Sequence, residues 1–229
     1  MTEAEWLTCE FSSPMLEHLR EHHIGSWRKR LFLSLACCRR VAGMMSTDGL
    51  RAVEVAERFV EGNATEEERW EAFVSSGEAM DEANELHTQK AVYCAYRFIQ
   101  LAAEQEFPLT WDDDIAAWIA FTAPEAFGWT GTQWDETVLN RHRRDIADWV
   151  RDIFGNPFRP VTFAPAWRTP GVMTLATEID ERQSFDRIPS LADALEQSGC
   201  RAAEVLSHCR ISTGHVRGCW VIEAILGHH

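Results

Sequence analysis

The sequence lacks any apolar run long enough to cross a membrane, and it lacks an excess of positive charge. A transmembrane helix needs about 20 consecutive apolar residues, and no stretch of the 229 residues approaches that length. The formal net charge is -14 at pH 7. Because nucleic acids and anionic membranes attract basic protein surfaces, we expect neither of them as a partner.

A secretory signal and a disulfide framework are missing as well. The first residues read MTEAEWL, which is acidic where a signal peptide is basic and then apolar. The seven cysteines are odd in number and follow no framework spacing, so we interpret them as reduced thiols. These two features together predict a cytoplasmic protein.

Familiar catalytic motifs are also absent from the sequence. It contains no phosphate-binding glycine loop, no nucleophile elbow and no carboxylate pair at a defined spacing. We therefore interpret the chain as a non-catalytic helical interaction or scaffold protein whose partner is another protein. Its ten tryptophans, several of them in the irregular stretch 108–131, fit that interpretation. An enzyme stays the alternative, because catalytic groups need to meet only in space.

The sequence does contain a helical spacing of apolar residues over most of its length. Apolar side chains recur every three or four positions, which predicts an all-α, multi-helix, bundle-like domain. Capping boxes formed by Thr2 with Glu5 and by Thr65 with Glu68 mark the start of two helices. We expect Asp48 to cap another.

One segment of the N-terminal half is apolar nearly all round. Residues Ser26–Met45 include the run LFLSLACC, which predicts a central helix that is buried on most sides. Its two expected apolar stripes contain Leu31, Leu35, Cys38, Ala42 and Met45 in one, and Leu33, Cys37, Val41 and Met44 in the other. A further helix is predicted over Glu78–Glu104.

Three prolines separate the N-terminal and C-terminal parts of the chain. Pro157, Pro160 and Pro165 exclude a helix there and favour an extended backbone. We place a boundary at this point, between an N-terminal helical region, 1–156, and a C-terminal region of short helices, 157–229. Aromatic residues around the prolines predict a packed joint rather than a flexible linker, so the two regions are expected to pack as one unit.

The last part of the chain is predicted to form a helical hairpin. Apolar residues at helical spacing indicate a first helix over Ala202–Cys209. Ser212, Thr213 and Gly214 then break the pattern. It resumes over His215–Leu226, which predicts the second helix of the hairpin.

This hairpin carries a candidate zinc site. On a helix, His215 and Cys219 lie one turn apart on the same face, as two ligands of one metal do. Cys209 or His208, at the end of the first helix, completes the set. The alternative is simple packing, because free cysteines are often buried and no C-x-x-C pair is present. Our first expectation is therefore no cofactor, and the alternative is zinc binding or a zinc-dependent hydrolase.

A second histidine pattern lies near the start of the chain. His18, Glu21 and His22 match the H-x-x-E-H arrangement of inverted zinc peptidases. The match rests on three residues in a short, charged stretch. We therefore interpret it as a solvated, histidine-rich helix face.

Several longer motifs occur together in this chain. They are MTEAEWL at the start, CCRR at 37–40, RDIFGNPFRPV at 151–161 and HVRGCWV at 215–221. With these motifs the chain resembles a large family of paralogous proteins from planctomycete bacteria. The resemblance implies no activity, fold, cofactor or site residue.

Overall fold

The structure is a computed structural model that describes residues 1–65, 67–72, 74–75, 135–211 and 214–228. Within these ranges 72% of the residues are helical and none belongs to a strand. The predicted all-α fold class is therefore confirmed. None of the helices described combines the length and the apolarity that crossing a membrane requires. The predicted helix Glu78–Glu104 and the tryptophan-rich stretch 108–131 lie outside the described residues.

Helices make up most of the described residues. In the first half they are α1 (Glu3–Thr8), α2 (Ser12–Glu21), α3 (Trp27–Arg40) and α4 (Thr47–Val60), with a 3₁₀ turn at Ala42–Met44. Residues 67–72 and 74–75 are also helical. The later helices are α5 (Glu136–Phe154), α6 (Pro170–Arg182), α7 (Ile188–Gln197), α8 (Ala203–Arg210) and α9 (Trp220–Leu226). Two further 3₁₀ turns lie at Pro165–Trp167 and Phe185–Arg187.

The chain divides into two compact units, Met1–Ala147 and Asp148–His229. The division falls inside α5 and precedes the boundary that we placed between residues 156 and 157. The end of α5 belongs with the second unit because Asp152 accepts a hydrogen bond from the backbone N–H of Val216. We call the two units the N-terminal unit and the C-terminal unit.

The two predicted capping boxes are both present. The Thr2 hydroxyl accepts from the backbone of Glu5, and the Glu5 carboxylate accepts from the backbone of Thr2. The same reciprocal pair joins Thr65 to Glu68. The expected cap of α4 is wrong, because the side chain of Ser46 accepts from the Gly49 N–H in place of Asp48. Asp48 lies in the first turn, where its negative charge favours the helix dipole.

The N-terminal unit is built around α3, as the apolar run predicts. Most of the two expected stripes is buried, with at most 3% exposed for Leu31, Leu33, Leu35, Cys37, Cys38 and Val41. The helix ends at Arg40, earlier than predicted, and a 3₁₀ turn around Gly43 follows. Glycine favours such a break because it is a poor helix former. The neighbouring α4 packs on α3, where Arg39 donates two hydrogen bonds of 2.7 Å to Glu57.

The C-terminal unit encloses a second core between α6, α7, α8 and α9. The buried apolar side chains include Val172, Ala176 and Ile179 of α6, Leu191 and Leu195 of α7, Val205 of α8, and Ile222 and Ile225 of α9. Val161, Phe163 and Trp167 of the proline-rich segment pack against this core. The segment is therefore a packed part of the unit.

The predicted helix His215–Leu226 is wrong over its first five residues. The chain forms a turn over 215–219, and α9 begins only at Trp220. Gly214 and Gly218 both have a φ of +87°. This left-handed conformation is readily available to glycine and cannot continue a right-handed helix. His215 and Cys219 therefore do not share a helix face.

Candidate metal centre

Four side chains converge at one point of the C-terminal unit. They are Asp152 in the last turn of α5, His208 near the end of α8, His215 in the turn that follows, and Cys219 immediately before α9. Each offers one potential metal ligand, and these four atoms all lie within 4.8 Å of one another. We call these residues the DHHC cluster.

The contacts within the DHHC cluster are short. The Nε2 atom of His208 lies 3.1 Å from Oδ1 of Asp152 and 3.3 Å from Sγ of Cys219. The Nδ1 atom of His215 lies 2.6 Å from the same Asp152 oxygen and 3.9 Å from the same sulfur. One nitrogen of each histidine therefore points to the same oxygen and the same sulfur.

The DHHC cluster is shielded from solvent. The side chains of Asp152 and His215 are 5% and 3% exposed, that of His208 is 14% exposed, and Cys219 is fully buried. The two imidazoles meet edge to face, with 5.0 Å between their centroids. A charge enclosed in this way needs partners, since water does not solvate it.

Asp152 is held in place by the backbone of the turn over 215–219. Its Oδ2 atom accepts a hydrogen bond of 2.9 Å from the Val216 N–H, while Oδ1 faces both histidines. Burial alone would raise the pKa of Asp152. Hydrogen bonds from His208 and His215 outweigh it and lower the pKa, so the group is a carboxylate at neutral pH.

His215 is oriented by the end of the preceding helix. Its Nε2 atom lies 3.0 Å from the backbone oxygen of Ile211. A carbonyl oxygen only accepts hydrogen bonds, so the Nε2 atom carries a proton and donates it. Nδ1 then faces Asp152 in one of two states: protonated in an ion pair, or with a free lone pair that can bind a metal. Burial disfavours the imidazolium, but the Asp152 carboxylate outweighs burial and raises the pKa of His215.

Cys219 is a thiol unless a cation faces it. Burial raises its pKa well above the ordinary value, and the charge of Asp152 and the nearby Cys209 raise it further. The backbone N–H groups of Val221 and Ile222, at the start of α9, oppose this effect. A bound cation would reverse the balance, since a coordinating thiol is deprotonated outright.

The structure brings together three of the four ligands predicted from the sequence. His208, His215 and Cys219 belong to the DHHC cluster, and Cys209 does not. Neighbours on a helix point about 100° apart, so α8 directs only one of His208 and Cys209 to this point. Cys209 is buried in the core of the unit, and burial is the main reason that its pKa rises to about 12.

Sequence reasoning missed Asp152, although one signal was present. The residue lies in the last turn of α5, where the negative end of the helix dipole disfavours an acidic side chain. Its neighbours Ile153 and Phe154 are buried. An acid in this position requires a specific partner, but the sequence does not reveal which one.

The H-x-x-E-H pattern forms no comparable site. His18 is 6% exposed and packs near Trp6, so the predicted solvated face is wrong at this residue. The Nδ1 atom of His22 lies 2.9 Å from the backbone oxygen of His18. Within the described ranges, the DHHC cluster is the only group of metal-ligating side chains that converges.

In comparisons with family models, with curated proteins and with solved structures, no match to this chain is found. The resemblance to the planctomycete family therefore stays a prediction. The function has to be argued from the DHHC cluster itself.

Proposed function

We propose that this protein binds one zinc ion between Asp152, His208, His215 and Cys219, and that the ion stabilises the C-terminal unit rather than catalysing a reaction. The observation that carries the proposal is the convergence of four donor atoms within 4.8 Å. The two histidines each direct a single nitrogen to the same oxygen and the same sulfur. This convergence on shared atoms supports a single ion held by all four residues.

The same residue types also occur in cysteine-histidine-acid catalytic relays, but their geometry differs. In a relay, one ring nitrogen of the histidine contacts the nucleophile and the other contacts the acid. In the DHHC cluster, Nε2 of His208 contacts both Asp152 and Cys219. The raised pKa of the buried thiol further disfavours a nucleophile. The contacts therefore favour metal binding over a relay.

The dimensions of the cluster suit a tetrahedral zinc ion with modest adjustment. Zinc–ligand bonds of about 2.0–2.3 Å place neighbouring ligand atoms roughly 3.3–3.6 Å apart. The distances from His208 to Asp152 and Cys219 are 3.1 and 3.3 Å, and that from His215 to Cys219 is 3.9 Å. The distance from His215 to Asp152 is 2.6 Å, as in a hydrogen bond, so the ion would widen this contact. It would also draw together any donor atoms that lie near the upper limit of 4.8 Å.

The donor set indicates both the metal and its role. A thiolate, two imidazoles and a carboxylate match zinc, whereas Mg²⁺ and Ca²⁺ prefer oxygen ligands alone. The two negative ligands neutralise the charge of the ion. Four protein ligands fill a tetrahedral shell and leave no position for a substrate or a reactive water. A structural ion fits the non-catalytic interaction or scaffold protein that we interpret from the sequence, with another protein as its partner.

Metal analysis of the purified chain, freed of any affinity tag, tests the proposal. We expect about one zinc per chain, and its loss in both Cys219→Ser and His215→Ala. Cys209→Ala is the matched control, because Cys209 is buried in the same unit but lies outside the DHHC cluster. This variant should be less stable than the wild type but should still bind zinc. A chelator should lower the melting temperature of the wild type and of Cys209→Ala only. The proposal fails if the wild type contains no metal and neither a chelator nor added zinc changes its melting temperature. The cluster would then be a buried ion pair.

A further inference from the structure

The orientation of His208 depends on ring packing. Among the described residues, its polar contacts are those of Nε2 with Asp152 and Cys219, and its aromatic contacts are those with the rings of His215 and Trp220. His215 differs, because a hydrogen bond to the backbone oxygen of Ile211 fixes its far nitrogen. Besides the polar contacts of Nε2, the two neighbouring rings therefore restrict the rotation of the His208 imidazole.

Trp220 is the larger of these two neighbours. It follows Cys219 directly and begins α9. Its ring centroid lies 5.3 Å from that of His208, and the ring planes are tilted by 52°. Trp220 is itself only partly buried.

On another side, the indole rests on the backbone of Gly155. A Cβ atom at that glycine would lie only 3.4 Å from the Cγ and Cδ2 atoms of Trp220. Gly155 has a φ of +73°, which other residues rarely adopt. It ends the helix that carries Asp152. The indole thus lies against Gly155, at the end of the helix that carries Asp152, and against the ring of His208. Trp220 is also the next residue after Cys219.

We infer that Trp220, seated on Gly155, is a positioning residue that holds the His208 imidazole in its metal-binding orientation. The inference rests on the proposed zinc site and adds a residue outside the ligand set. Without the indole, His208 would regain rotational freedom in the metal-free state, and zinc would have to restrict it again. Residues that orient a metal ligand typically change metal affinity by roughly 10- to 100-fold.

The test compares Trp220→Leu with Trp220→Phe and with Trp167→Leu. Trp167 also packs on the core of the C-terminal unit, but its ring contact is with Phe163, so it controls for the loss of a tryptophan. Zinc affinity is measured by competition with a chromophoric chelator, and ligand geometry by the visible absorption of bound Co²⁺. We expect roughly 10- to 100-fold weaker zinc binding and an altered Co²⁺ spectrum in Trp220→Leu. Trp220→Phe should recover most of the affinity, and Trp167→Leu should match the wild type.

A second measurement does not depend on the stability of Trp220→Leu. Bound Co²⁺ should quench the fluorescence of an indole that touches a metal ligand, so Trp220→Phe should lose much of the quenching seen in the wild type. Unchanged quenching in Trp220→Phe, or wild-type affinity and spectrum in a folded Trp220→Leu, would overturn the positioning role while leaving the zinc site intact. A wild-type chain that binds neither ion would refute the zinc site itself.

Discussion

The Nδ1 atom of His215 lies 2.6 Å from the Oδ1 atom of Asp152, although 63 positions separate the two residues in the chain. The contact joins the end of α5 to the turn that precedes α9. Both side chains are almost completely buried. With or without a bound ion, the stability of the C-terminal unit should therefore depend on the negative charge of Asp152.

Replacing Asp152 by Asn should strongly destabilise the protein. The change removes a buried charge that faces two histidines, and breaking a buried ion pair from one side typically costs about 3–5 kcal/mol. Asp148→Asn is the matched control on the same helix, because Asp148 is 65% exposed and forms a surface ion pair with Arg151. It should change the free energy of unfolding by about 1 kcal/mol or less. Urea denaturation compares the two, and equal losses would contradict the importance of the buried pair.

The proline-rich segment between Asn156 and Thr169 should resist limited proteolysis under native conditions. Phe163 packs edge-on against Trp167 at 5.1 Å. Arg168 lies over the Phe163 ring and donates a hydrogen bond of 2.8 Å to the backbone oxygen of Ala224.

Arg168→Ala should therefore increase cleavage in this segment. Arg187→Ala, which removes a half-exposed ion pair with Glu178, should leave the cleavage pattern unchanged. Mass spectrometry of the fragments locates the cuts. Rapid cleavage of the wild type within the segment would mean that it is a flexible linker.

The ion pair between Arg39 and Glu57 should contribute measurably to the stability of the N-terminal unit. Both hydrogen bonds measure 2.7 Å, and the Glu57 side chain is 10% exposed. Glu57→Gln should lower the free energy of unfolding by about 1.5–3 kcal/mol, as is typical for hydrogen bonds to charged groups. Glu71→Gln removes an exposed pair with Arg51 and should cost at most about 1 kcal/mol. Similar values for both variants would show that burial does not strengthen the Arg39 pair.

The stability of the N-terminal unit should fall as the pH drops below the ordinary pKa of histidine. Burial lowers the pKa of His142, and the positive charges of Arg40 and Arg141 lower it further. The negative charge of Asp145 opposes them but does not outweigh them. The Nε atom of Arg40 donates to Nδ1 of His142 over 2.9 Å, which requires that nitrogen to be unprotonated. The unfolded chain therefore binds more protons than the folded one.

Neutral His142 contributes its full share to the free energy of unfolding above about pH 6.5, the ordinary pKa of histidine. The contribution is lost as the pH falls below that value and through the lower pKa of His142 in the folded protein. Urea midpoints at about pH 7.5 and about pH 5.5 measure the loss, and His142→Gln is the comparison because it does not titrate in this range. The wild type should lose more stability on acidification than the variant. An equal loss in both proteins would assign the pH dependence to other groups.

The sequence by itself determined the features that depend on neighbouring positions. The capping boxes of Thr2 with Glu5 and of Thr65 with Glu68 were predictable because their partners are three residues apart. The buried stripes of α3 follow from the helical period alone. Local reasoning failed in two places: it named Asp48 as the cap of α4, where Ser46 is the cap, and it extended a helix through Gly218.

The tertiary structure alone decided which side chains form the DHHC cluster. The sequence suggested His208, His215 and Cys219, but it placed His215 and Cys219 on a shared helix face that the glycine turn abolishes. It offered no means to choose His208 over Cys209, because that choice depends on which side of α8 faces the rest of the unit. Asp152 joins them only because the packing of the C-terminal unit brings the end of α5 against the turn before α9. Donor atoms from three segments, namely the end of α5, α8 and the turn over 215–219, meet through this packing, and the distance along the chain from Asp152 to the others does not predict it.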